Sequence, residues 1–146
     1  MIKPAHRIYM HLVWTTLGRR PMIDASTGVF LDKFFRRILI SERVHLVELA
    51  ILQTHVHLLI RTSTRFDLPH LLQVLKGGSS YEANRIAGNR LGLRWGREYS
   101  VDSVSPRSLP AAVSYLQKQH LRHPGEAIAP VAARERSASP STRFSV

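Results

Sequence analysis

Gln53-Thr54-His55-Val56-His57-Leu58-Leu59-Ile60 is the stretch whose reading decides the fold. Side chains alternate along a strand, so His55 and His57 share one face while Val56, Leu58 and Ile60 share the other. The apolar run predicts a strand from His55 to Arg61, with the short link Gln53-Thr54 before it. Val44 to Leu52 reads as the strand on the other side of that link, which makes the two an antiparallel neighbour pair. Arg7 to Thr16 alternates loosely and holds Ile8, Tyr9, Val13, Trp14 and Thr15, good strand formers that are stopped by Gly18 to Pro21.

Helices fill the intervals. Asp24 or Ser26 can cap a helix to about Ser41, with Val29, Phe30, Phe34, Ile38 and Leu31 on its apolar side. Asp67 begins a second helix around Leu71, Leu72, Val74 and Leu75. Lys76-Gly77-Gly78-Ser79-Ser80 is expected to interrupt it before a further helical piece, Tyr81 to Ala87. Gly88 to Gly92 reads as a turn, and Leu93 to Val104 as a fourth strand. Ser108 can cap a last helix from about Leu109 to Arg122. Strands and helices in this order predict an α+β fold, an antiparallel sheet covered by helices. Residues 1–123 are expected to form the domain. From Pro124 onward Pro, Ala, Ser, Arg and Glu dominate, so residues 124–146 are expected to be a disordered tail.

Composition narrows the partners. The 146 residues carry 21 Lys and Arg against 10 Asp and Glu, a formal charge of +11 that favours a polyanion, nucleic acid first. The chain has no cysteine, which excludes disulfides and thiolate metal sites. No apolar run reaches membrane-spanning length and no signal-peptide core stands at the N-terminus, so a cytoplasmic protein is expected.

His55 and His57 on one face of a rigid element form half of a metal site. Taken alone, such a triplet is a weak signal, because a strand histidine is more often packed than ligating. Tyr115 and Gln119 add to it, lying one turn apart on one face of the last helix. A tyrosine there can act as a nucleophile, and a carboxamide as a third ligand. Two imidazoles and an amide suit a divalent ion used as a Lewis acid on phosphate, Mg²⁺ or Mn²⁺. A structural zinc site would want a fourth protein ligand, and none is evident. Together a metal pair and a tyrosine can break a phosphodiester and keep one end covalently.

On these residues the chain resembles the IS200/IS605-type single-tyrosine transposases and their REP-associated relatives, a branch of the HUH endonucleases. His11-Leu12-Val13-Trp14 with Gly18-Arg19-Arg20-Pro21 is similar to the family's opening strand and basic turn. His55-Val56-His57-Leu58-Leu59 is similar to its HUH strand, and Leu75-Lys76-Gly77 to its Lys-Gly helix break. Trp95 to Ser105 resembles its penultimate strand, and Tyr115 with Gln119 its nucleophile helix. The resemblance implies a ferredoxin-like or RRM-like palm and a homodimer, with a divalent-metal site of His55, His57 and Gln119. It implies that Tyr115 cuts single-stranded DNA beside hairpins, often in an active site completed by the partner subunit. Thr54 departs from the Asn or Asp common before the first histidine, and the tail after His123 replaces a structured segment.

Arg19, Arg20, Lys76, Arg94, Arg97 and Lys118 are the candidate DNA-gripping residues, with Arg36, Arg37, Arg85 and Arg90 as further basic positions. Tyr115-x-x-Lys118 also fits a replication-initiator nickase of the same superfamily. His11 is expected to be a satisfied core histidine. A non-cutting hairpin DNA- or RNA-binding module is the main alternative, although an RRM-type binder would want aromatics where this strand carries histidines. A two-histidine phosphodiesterase would need a second histidine motif of similar form, which the chain lacks.

Overall fold

Strands β1 (Ile8–Thr15), β2 (His45–Ile51), β3 (His55–Thr62) and β4 (Ser100–Val104) form one antiparallel sheet in the order β2-β3-β1-β4. Helix α1 (Ala25–Ser41) links β1 to β2, and helical residues 68–85 link β3 to β4. This is the ferredoxin-like connectivity expected of the sequence. The computed structural model describes residues 8–85 and 92–128. Ala87, the expected turn from Gly88 to Gly92 apart from Gly92 itself, and the tail from Ala129 onward lie outside the described residues, as does Arg7.

The register divides the side chains between the two faces. Leu12 pairs with Leu58 and Trp14 with Val56, and these join Leu49, Ile51 and Ile60 under α1. Val13 pairs with His57 and Thr15 with His55, on the opposite face. There Ala50, Leu52 and Leu59 pack with Leu116 of helix α4 (Leu109–Gln117) in a second, smaller core. Because β3 is central and covered on both faces, every one of its residues except Arg61 is buried. That explains why its sequence reads as a continuous apolar run interrupted only by the histidine pair.

Asp24 caps α1 by accepting from the Thr27 amide at 2.8 Å. The innermost stripe of α1 is Leu31, Phe34, Phe35 and Leu39, whereas Val29, Phe30 and Ile38 are only partly buried. The expected apolar face was thus rotated: Phe35 and Leu39 lie nearer the sheet than Phe30 and Ile38.

Three further boundaries differ from expectation. Lys76-Gly77-Gly78 does not interrupt the second helix. Helix α2 (Leu68–Leu72) passes through a wide π-type turn, Gln73–Gly77, into α3 (Gly78–Arg85), and Gly78 keeps right-handed helical angles. What Gly78 supplies is space, since a Cβ there would meet Phe34 Cζ at 2.8 Å. The predicted long strand from Leu93 is regular only over β4, with one isolated bridge from Trp95 to Thr16. Finally, the packed structure continues past His123. Residues Pro124–Glu126 form a 3₁₀ turn and Ile128, only 2% exposed, enters the main core.

Candidate active site

The two histidines occupy the start of β3, where the short β2–β3 link is pinned from several sides. Thr16 donates its amide to the Thr54 carbonyl at 2.8 Å, and its hydroxyl, which lies 3.1 Å from the same oxygen, donates to the Arg20 carbonyl at 2.5 Å. Ile23 donates to the Gln53 carbonyl at 3.1 Å. Threonine at position 54 therefore leaves the turn tightly held. The basic turn Leu17–Arg19 that follows β1 needs left-handed backbone, with φ of 64° at Gly18 and 54° at Arg19. Only the first of these is at a residue without a Cβ to clash.

Opposite the pair stand α4 and the short helix α5 (Gln119–Arg122). The sequence predicted one helix here, but Lys118 breaks it at φ −101°, ψ 12°. Gln117 Nε2 donates to Glu48 Oε2 at 3.0 Å, tying the end of α4 to β2. The arrangement brings Tyr115 to the histidines of its own chain: its ring centroid lies 5.8 Å from that of His57 and 6.0 Å from that of His11. Gln119 is fully buried at the start of α5. Its Nε2 donates to the Tyr115 carbonyl at 3.3 Å, while its Oε1 is buried without a hydrogen-bond partner.

Each imidazole is held from behind through Nδ1. His57 Nδ1 lies 2.9 Å from His11 Nε2, and His55 Nδ1 lies 2.9 Å from Thr54 Oγ1. Both Nε2 atoms are thereby left for a ligand, and their ring centroids are 5.0 Å apart. Among the described residues no group of three or more His, Cys, Asp or Glu is arranged to hold a metal ion. A divalent ion would rest instead on two imidazoles and the orphaned Gln119 oxygen. The donor set fits such an ion: both histidines are neutral at pH 7, and a buried amide oxygen wants a positive partner.

Burial pushes His57 down to about 3, helped by the neighbouring imidazoles of His55, His11 and His123. Burial likewise pushes His55 down to about 4; Glu126 opposes that shift, while Arg19 and His123 add to it. His11 is half-buried and also lowered by burial, against the pull of Asp102. It is therefore no passive core histidine, since its Nε2 abuts His57. The depressed values set a pH dependence. An unfolded chain takes up these protons near pH 6.5, and the folded chain does so only near 4 and 3. Stability is thus complete above about 6.5 and is lost as pH falls toward 4. Glu126 and Asp24 are also lowered from their ordinary values, but they act below about 4.5. Urea midpoints are expected to fall between pH 7 and 5, and substituting His57 with Gln is expected to flatten that fall.

The basic candidates are only partly gathered. Arg19 Nη2 reaches Glu126 Oε1 at 3.5 Å, on the rim of the histidine pair. Arg20, Arg94, Arg97 and Lys118 are exposed. Arg94 lines an open groove with Leu17, Tyr81 and Trp95 beside the basic turn. Lys76 is occupied structurally: its Nζ donates to the carbonyls of Gly96, Arg97 and Glu98 at 2.7, 3.3 and 3.4 Å. Arg36 pairs with Asp32 at 2.7 Å on α1, and Arg37 sits over Phe34. Arg85 lies over Tyr81, and Arg90 is outside the described residues.

Three residues at the site were not singled out in the sequence. Arg122 places its guanidinium 4.7 Å from the centre of the Tyr115 ring. Its position seven residues after Tyr115, on the same stripe of the one helix the sequence predicts, is the signal that could have found it, although Lys118 breaks that helix. His123 stacks edge-on to His55 at 5.5 Å, with Nδ1 at 3.3 Å from Glu126 Oε2. Glu126 itself lay in the segment read as a tail, and no local pattern marked it.

No helix among the described residues is long and apolar enough to cross a membrane. No curated protein matches the sequence. Among solved structures, the chain is similar to a candidate transposase from Deinococcus radiodurans R1, with a TM-score of 0.62 and 24% identity over 82% of this chain and 98% of that one. It is also similar to a REP-associated tyrosine transposase bound to a REP hairpin, with a TM-score of 0.66 and 10% identity over 84% of this chain and 72% of that one. These likenesses confirm the fold. Residues 4–119 match the family described as "Transposase IS200 like", and with the histidine strand and the tyrosine helix both inside that span, the chain belongs to the IS200-like transposase family.

Proposed function

We propose that this transposase cleaves and rejoins single-stranded DNA beside hairpins through a covalent link to Tyr115. The observation that carries the reading is the meeting of Tyr115, His57 and the unpartnered Gln119 oxygen within one chain. The Tyr115 oxygen attacks the scissile phosphorus, and the bond from phosphorus to the 3′ oxygen breaks. The phenolic proton passes to solvent, the departing strand ends in a 3′ hydroxyl, and the other end stays as a 5′-phosphotyrosine. Attack by a 3′ hydroxyl reverses the step without ATP.

A divalent cation, Mg²⁺ or Mn²⁺, held by His55, His57 and Gln119 would supply Lewis-acid charge against the phosphate. The chain's own residues do the rest. Packing against His11 and His57 orients the phenol, and the Arg122 guanidinium holds the face of its ring by a cation–π contact. Exposed Arg19, Arg20, Arg94, Arg97 and Lys118 provide cations for the phosphate backbone. The hairpin bound by the REP-associated relative supports a hairpin substrate here. All four site groups meet within one chain, which supports cleavage by each chain's own tyrosine.

The test is a labelled single-stranded hairpin library incubated with Mg²⁺, Mn²⁺ or EDTA, read as a covalent protein–DNA band. A metal-dependent band is expected, and Tyr115→Phe is expected to abolish it while hairpin affinity stays within about twofold. Tight hairpin binding with no band in any metal would instead make the protein a binding module, with Tyr115 a rim residue.

A further inference from the structure

We infer that Thr54 and Glu126 form a carboxylate–hydroxyl relay that positions His55 as a metal ligand, delivered to the site by the segment that follows the last helix. The inference rests on the proposed metal reading of the histidine pair and extends it beyond the strand and the tyrosine helix.

The geometry has a definite direction. The Thr54 hydroxyl donates to Glu126 Oε1 in a short hydrogen bond, so its oxygen is left to accept. The group that faces it at 2.9 Å is His55 Nδ1. A hydroxyl already committed as a donor favours the tautomer with the proton on Nδ1, which leaves the lone pair on Nε2. That is the nitrogen directed away from Thr54 and free for a cation. At 3.8 Å from His55 Nδ1, the Glu126 carboxylate acts on the ring through the threonine.

Glu126 is fixed by more than this bond. Its amide donates to the His123 carbonyl at 2.9 Å, and its own carbonyl accepts from the Gln53 amide at 2.8 Å. Gln53 Nε2 donates to the Ala127 carbonyl at 2.7 Å, and Ile128 is anchored in the core. Arg19 Nη2 and His123 Nδ1 contact the carboxylate from the outer side at 3.5 and 3.3 Å. The two residues that precede the ligand, Gln53 and Thr54, are thus clamped by residues 126 and 127. Partners in this outer position commonly change metal affinity 10- to 100-fold when removed.

The experiment uses the full chain with Thr54→Val, which keeps the shape and removes the hydroxyl, and Glu126→Gln. Thr54→Ser is the rescue. Long-range ¹H–¹⁵N correlation of the metal-free protein is expected to show His55 protonated on Nδ1, and a mixed tautomer in Thr54→Val. Mn²⁺ titration is expected to show roughly 10- to 100-fold weaker binding in Thr54→Val and about 10-fold in Glu126→Gln. The double variant should bind no more weakly than Thr54→Val, because the carboxylate acts through the hydroxyl. Thr54→Ser should bind as the unaltered chain does, and hairpin affinity in EDTA should not move. The relay is overturned if His55 carries its proton on Nε2, if both variants bind Mn²⁺ within threefold of the unaltered chain, or if the two losses multiply. An unaltered chain that binds no Mn²⁺ would defeat the metal reading, and the tautomer measurement would still decide the relay.

Discussion

Replacing His57 with alanine is expected to end Mn²⁺ binding and to lower adduct formation at least about 10³-fold. The figure corresponds to losing several kcal/mol of charge stabilisation at the phosphate, at about 1.4 kcal/mol for each factor of ten. Among the described residues no third His, Cys, Asp or Glu is arranged with the pair to hold a metal ion, which leaves the buried Gln119 oxygen as the third ligand proposed. The substitution also takes away the partner of His11 Nε2 and one wall against the Tyr115 ring. Hairpin binding in EDTA is expected to stay within a few-fold, because the exposed arginines that would grip phosphate lie outside the pair. Mixing the His57→Ala and Tyr115→Phe proteins separates two assemblies. With the site built in one chain, each variant lacks a group the other cannot lend, and the mixture is expected to stay inactive. A mixture that recovers the covalent band would show that tyrosine helices are exchanged between subunits.

The second large effect is on stability. Trp14 is 1% exposed on the face of the sheet opposite the histidines. Its ring packs edge-on against Phe35 at 5.7 Å and Trp95 at 5.8 Å. Trp14→Ala is expected to cost about 3–5 kcal/mol, the lost transfer energy plus the cavity left between those rings. A domain of this size is stable by only about 5–15 kcal/mol. The melting temperature should therefore fall by roughly 10–20 °C, measured by calorimetry on the metal-free protein. Trp14→Phe fills most of the same space and should recover most of the loss. Tyr115→Phe, by contrast, removes an oxygen from a residue 36% exposed and should barely change melting. A Trp14→Ala protein that melts within a few degrees of the unaltered chain would mean that this core collapses onto the gap.

The strands and the histidine pair were legible because each depends on local periodicity. Val56, Leu58 and Ile60 alternate with His55, His57 and Leu59 whatever surrounds them, and a two-residue link leaves the flanking strands no choice but to run antiparallel. Asp24 and its helix were legible for the same reason. The apolar stripe of α1 was less so: eight large apolar residues spread around the helix, and only contact with the sheet selected Phe35 and Leu39 as innermost. Gly77-Gly78 was misread because glycine signals both a break and a close approach. Here the proximity of Phe34 decided for the second.

The residue types needed for the chemistry, and the spacing that puts Tyr115 and Gln119 on one stripe, are properties of the sequence alone, as are the excess of positive charge and the order of the elements. Tertiary structure decided how closely the tyrosine approaches the histidines, which nitrogen of each imidazole is left free, and that Lys76 is bound to backbone carbonyls. It also brought Glu126 to Thr54 across 72 residues of sequence. The physical reason is the range of the interactions. Periodicity and capping act within a few residues and leave a trace in the local pattern. A buried hydrogen bond between distant segments depends on where the packed core places them, and no short stretch of sequence encodes it.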